Sequence, residues 1–171
     1  MDSLIIQSIG FVGMLFFMAS MQMKNRYYLL LLQIFGHIAF SVHFYLLSAT
    51  AASVINIVGI FRALLFQKKE TSGWAKKSFW LPCFILLYVL SGILFWNGPI
   101  AILAIVATAL ETRALWSSDP QAIRKRMILP RLGWLTHNFV VGSIAGVISD
   151  VFYLISVLVG IWRFKKAEKN S

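Results

Sequence analysis

The sequence predicts an all-α transmembrane protein of seven helices, and three observations predict it. Of its 171 residues 59% are hydrophobic and only 13% charged, about half the charged share of a soluble domain, and the mean hydropathy is +0.78. The apolar residues run in long stretches rather than one-sided stripes, as in helices surrounded by hydrocarbon. All 16 Lys and Arg fall in four clusters: Lys24 and Arg26; Arg62, Lys68, Lys69, Lys76 and Lys77; Arg113, Arg124, Lys125, Arg126 and Arg131; and Arg163, Lys165, Lys166 and Lys169.

The first helix is expected over 4–23. It has no basic segment before it and no small-residue cleavage site after it, so it reads as a retained span rather than a secretory signal. The second and third, over 27–47 and 51–66, leave the first cluster, turn at 48–52 and return to the second. The fourth and fifth, over 79–95 and 100–116, turn at 96–99 and reach the third cluster. The sixth and seventh, over 127–142 and 147–164, turn at 142–146 and reach the last. Three of these spans are short for a bilayer, and snorkelling basic ends or local thinning makes up the difference. Pro82, Pro99, Pro120 and Pro130 fall near predicted helix starts or in a loop, where proline is tolerated. The polar connections 67–77 and 117–126 remain, the second carrying a helix start at Asp119 and Pro120 as an alternative to a solvated loop.

Short basic loops are retained in the cytoplasm, so every cluster is expected inside, the N-terminus outside and the C-terminus in the cytoplasm. The net charge of +10 is then topogenic, and no nucleic-acid partner is expected. The single cysteine, Cys83, excludes an intrachain disulfide and a CxxC site. The tryptophans fall mostly at helix ends, as an interfacial belt does, with Trp134 also readable as a pocket wall.

The second and third helices resemble the sixth and seventh. His43 and Phe44 lead through a small-residue turn to Asn56; His137, Asn138 and Phe139 lead through another to Asp150. Both His-to-Asn/Asp intervals are 13 residues. With the first and fifth helices added, the plan becomes two three-helix bundles joined by a connector (3+1+3). The domain is single over 1–171, with bundles at 1–68 and 99–166 and the connector at 79–96. The two copies run parallel rather than inverted.

An ionisable side chain inside a bilayer costs about 2.5–3.5 kcal/mol on insertion scales, so each needs a partner or a role. Asp150 reads either as a first-turn acid favoured by its helix dipole or as a solute ligand, with Tyr153 one turn deeper on the same face. His43 and His137 could satisfy polar neighbours, bond a solute or carry a proton. Gln33, His37, Ser41 and Tyr45 form a polar stripe, readable as helix–helix glue or as a solute path. Glu111 could pair with Arg62 as an inner gate or serve as an interfacial anchor. Gly10 and Gly13 permit close helix approach. The histidine spacing disfavours a shared metal, and no cofactor, metal or covalent chemistry is expected.

The segment Thr136-His-Asn-Phe-Val-Val-Gly-Ser-Ile-Ala-Gly-Val-Ile-Ser-Asp150, the closing Ile161-Trp-Arg-Phe164 and the earlier Val42-His-Phe-Tyr-Leu-Leu47 with Asn56 and Arg62 resemble the YgjV family of bacterial inner-membrane proteins. The broader likeness is to SWEET, SemiSWEET and PQ-loop transporters. What it implies is a SWEET-like pair of bundles around a central pocket, with Asn56 and Asp150 facing the solute. The reading is therefore a non-enzymatic, multi-pass inner-membrane carrier of a small polar solute. Asn56, Asp150, His43, His137, Asn138 and Tyr153 would line its pocket. A non-transporting receptor or assembly partner is the alternative, and self-association in the membrane fits either.

Overall fold

A computed structural model describes residues 3–46, 50–96, 98–140 and 144–169. Among them are seven α-helices: α1 (Ser3–Met21), α2 (Arg26–Leu46), α3 (Thr50–Lys68), α4 (Trp80–Leu94), α5 (Ile100–Leu115), α6 (Pro120–Val140) and α7 (Ile144–Lys169), with a 3-10 turn (Gly73–Lys76) between α3 and α4. The predicted turns fall partly outside the described residues. Leu4–Met21, Arg26–Leu46 and Gly146–Lys165 are long and apolar enough to cross a bilayer, while α4 is apolar but has only 15 residues.

Each helix packs on its neighbours in the chain and α7 returns to α1, so the seven close into a ring. α2 sits between α1 and α3, α6 sits between α5 and α7, and α4 joins α3 to α5. The polarity is that of a protein dissolved in lipid. Leu15, Phe61, Leu86, Leu129, Phe139, Leu158 and many more large apolar side chains are exposed on the outside, while Arg62, Arg124, Gln33 and Thr112 are at most 1% exposed. With no hydrophobic gain from burying apolar surface, small residues and interhelical hydrogen bonds must hold such helices together. At Gly10 and Gly13 an added Cβ would lie 2.9 Å from His43 and 2.8 Å from Phe40, so these glycines let α2 approach α1.

Helix boundaries in the two halves match at one offset. Ninety-four residues separate Arg26 from Pro120 and Leu46 from Val140, the limits of α2 and α6; the same offset relates the starts Thr50 and Ile144, and the ends Met21 and Leu115.

Two expectations are corrected. Residues 120–126 are not a loop: α6 starts at Pro120, held by Asp119 Oδ1 and Oδ2 accepting from the backbone N–H groups of Gln121 (2.8 Å) and Ala122 (3.1 Å). Pro130 therefore lies inside α6 rather than near its start. There it removes one backbone donor from the helix. The basic residues are also not all on water-facing loops, because Arg62, Arg124 and Arg131 turn into the protein and bond within it.

Candidate functional site

The helix ring encloses a cavity of about 340 Å³ to which every helix contributes. Its lining comes from the first part of α1, α3 and α7 and the last part of α2, α4 and α6, so the cavity occupies the end of the ring where α1, α3, α5 and α7 begin. Phe11, Phe40, Phe44, Phe95 and Trp134 contribute aromatic wall.

Four charged residues from both halves lie in that lining. Glu111 of α5 bridges them: its Oε1 accepts from Arg62 Nη2 of α3 at 2.8 Å and its Oε2 from Arg131 Nη2 of α6 at 3.3 Å. Arg131 Nη1 continues to Asp150 Oδ1 at 3.0 Å, and Asp150 Oδ2 accepts from Asn138 Nδ2 at 2.8 Å. Two guanidinium groups and two carboxylates balance to zero. Arg62 also donates to Thr112 Oγ1 (3.1 Å), and Arg131 lies over the Tyr153 ring at 4.0 Å. An arginine fork suits such bridging because its planar donors engage two acceptors at fixed geometry.

His37 of α2 extends the network further within the first half. Its Nε2 lies 3.3 Å from Arg62 Nη2, which can only donate, so Nε2 accepts; Nδ1–H then donates to Asn56 Oδ1 at 3.0 Å. The Asn56 amide nitrogen donates to the Ala52 carbonyl. Both ends of Asn56 are thus committed within the protein. The pairs His37–Asn56 and Arg131–Asp150 occupy corresponding places in the two halves, each spanning 19 residues.

The far end of the ring is sealed. Phe66, Leu115, Ile123, Met127 and Val157 pack there without exposure. Two arginines at the starts of α2 and α6 cross between halves to backbone carbonyls. Arg26 donates to Leu115 O (3.0 Å) and Ser117 O (2.6 Å) at the end of α5, and to Phe66 O (2.7 Å) in α3. Arg124 donates to Met21 O (2.7 Å) and to Met23 O, at the end of α1. Each satisfies carbonyls that a helix C-terminus leaves without partners. Gln22 donates to Ser156 Oγ (2.9 Å), and Ser156 Oγ donates to Met18 O (2.6 Å), so α7 is tied to the same place. Just beyond α3, partial burial and the nearby Arg26 lower the pKa of Lys69, with Glu70 opposing.

Of the residues predicted from sequence, Asn56, Asp150, His137, Asn138 and Tyr153 line the cavity, as do Arg62 and Glu111. Arg62 and Glu111 pair as expected, but as part of a larger set with Arg131 and Asp150. His43 does not line it: its Nδ1 lies 2.8 Å from Ile6 O and its ring packs on Gly10. The polar stripe on α2 divides, with Gln33 and His37 buried and Tyr45 72% exposed. Reading Arg131 as a cytoplasmic charge hid its role, although it lies inside the predicted span 127–142.

Residues 4–168 match the Imp-YgjV family, described as bacterial inner membrane protein. The chain is also similar to the inner membrane protein YgjV of Escherichia coli (strain K12), 28% identical over 130 residues that cover 75% of this chain and 67% of that one. No solved structure matches it. The chain belongs to the Imp-YgjV family and is a bacterial inner membrane protein.

Proposed function

On the premise of an Imp-YgjV inner membrane protein, we propose that the chain is a carrier, moving a small polar solute through its central cavity by alternating access. The observation that carries the reading is the asymmetry of the ring: a cavity walled by all seven helices with balanced charges at one end, and a tightly sealed opposite end. A bundle needed only as an anchor has no use for charges that each cost several kcal/mol to bury.

The two halves, α1–α3 and α5–α7, are read as parallel repeats joined by α4, in the SWEET-like 3+1+3 plan. Shared helix offsets and corresponding buried pairs support that reading. The sealed end lies among Lys24, Lys68, Arg126 and Arg163, so the positive-inside rule makes it cytoplasmic, with the N-terminus outside and the cavity in the outer half. Arg26 and Arg124 then form the inner gate. Each holds helix-end carbonyls of the opposite half, so rocking one half against the other must release both clamps together. The Arg62–Glu111 pair acts as the floor above that gate.

Cysteine accessibility tests this in a Cys83→Ser background. Ser149→Cys, at the cavity, should react with an impermeant maleimide from the periplasm, and Leu115→Cys should not. Arg26→Gln with Arg124→Gln should make Leu115→Cys reactive from the cytoplasm and lower Ser149→Cys reactivity. Reactivity at both sites that ignores the arginine changes would refute alternating access. A solute that binds purified protein but shows no counterflow in liposomes would favour the receptor reading instead.

A further inference from the structure

The charges and the walls of the cavity constrain what can enter it, and this step rests on reading the cavity as a solute site. Its charged side chains, Arg62, Arg131, Glu111 and Asp150, sum to zero, and each of the four carboxylate oxygens already accepts a hydrogen bond from within the protein. An entering anion finds no unpaired cation, and an entering cation finds no unpaired carboxylate. Either must break a buried pair to be neutralised. What remains is short-range hydrogen bonding: the Gln7 amide and the Ser149 hydroxyl line the cavity and are only partly buried. These are donors for a carbonyl or hydroxyl oxygen, and a neutral acceptor can meet them without disturbing the ion pairs.

The wall adds the second constraint. Phe11, Phe40, Phe44, Phe95 and Trp134 offer ring faces and edges, which favour a planar apolar body over a molecule hydroxylated on all sides. A volume of about 340 Å³ lies near the lower limit for ligand sites and admits one small ring system with a substituent. We propose that the cavity takes an uncharged solute with a planar body and hydroxyl or amide groups, of the nucleoside type, and rejects carboxylates, phosphates and cations.

Equilibrium binding of radiolabelled uridine to the detergent-purified full-length chain tests this, with ribose and uridine 5′-monophosphate as competitors. Uridine should bind saturably. The monophosphate should compete about a hundredfold more weakly, the scale of one disrupted buried pair, and ribose, lacking the planar base, at least about tenfold more weakly. Asp150→Asn leaves the site with a net positive charge and should shrink the deficit of the monophosphate about tenfold or more. The wild-type series stands without that variant if it does not fold. Absence of saturable uridine binding, or a monophosphate or ribose that competes as well as uridine, would overturn the proposal. Uridine binding without liposome counterflow refutes the carrier and leaves this inference standing; counterflow of a charged solute with no uridine binding does the reverse.

Discussion

Replacing Glu111 by Gln keeps the shape of the side chain and removes the charge that holds two buried arginines. Glu111 is 5% exposed and meets Arg62 at 2.8 Å and Arg131 at 3.3 Å. After the substitution Asp150 alone faces two guanidinium groups, and the set carries one uncompensated positive charge inside the ring. Breaking a buried pair by removing one partner costs about 3–5 kcal/mol, and each kcal/mol lowers the melting temperature of a chain this size by about 2–4 °C. Glu111→Gln should therefore lower the melting temperature of the detergent-purified protein by about 6–20 °C. Arg62→Gln alone leaves the set negative and should cost a similar amount. The double variant restores neutrality and keeps the Arg131–Asp150 pair, so it should be less destabilised than the sum of the single changes by about 1–3 kcal/mol. The assay is a melting curve of all four proteins under one detergent condition. A shift below about 2 °C for Glu111→Gln, or strictly additive effects, would refute the claim that these charges act as one buried set.

Gly160→Ala should weaken the sealed end, because the added Cβ would lie 2.6 Å from the Met21 backbone carbonyl that Arg124 holds; a melting point lowered by a few degrees, consistent with overpacking of about 1–3 kcal/mol, checks it. His43→Phe should leave uridine binding unchanged, since His43 bonds to α1 and does not itself line the cavity. Alkaline phosphatase fused after residue 169 should be inactive in cells and a fluorescent protein fused there bright, as a cytoplasmic C-terminus requires.

The sequence carried the helix count and most of each boundary because hydrocarbon demands long apolar runs and the basic clusters punctuate them. It misplaced the start of α6, where the Asp119-Pro120 cap begins a helix that the charges of Arg124, Lys125 and Arg126 make look like a loop. The sequence shows His43–Asn56 and His137–Asp150 at matching spacings, and in the structure the bonded pairs begin six residues earlier, at His37 and Arg131, each 19 residues from the Asn or Asp it bonds. No spacing rule could show that Asn56 spends both ends inside the protein. Hydrogen-bond partners across the ring depend on how the helices rotate about their own axes, and the apolar pattern of a lipid-exposed helix specifies that rotation weakly.

That weakness explains why the buried polar contacts between helices fall so largely on arginine. In water, helix rotation is set by the stripe that must be buried; in lipid it is set by which polar groups need partners. Each half places one arginine near the start of its middle helix, Arg26 and Arg124, and each uses it on the other half's helix ends. Each half also contributes one arginine to the ion-pair set, Arg62 and Arg131, and both engage Glu111. All four contacts cross the boundary between the halves or bind the residue that bridges it, so charge both fixes the rotation of the helices and couples the two units. Under the carrier reading, a single carboxylate held from both sides is then the hinge about which the units must reorganise, and Glu111→Gln should alter flux and stability together.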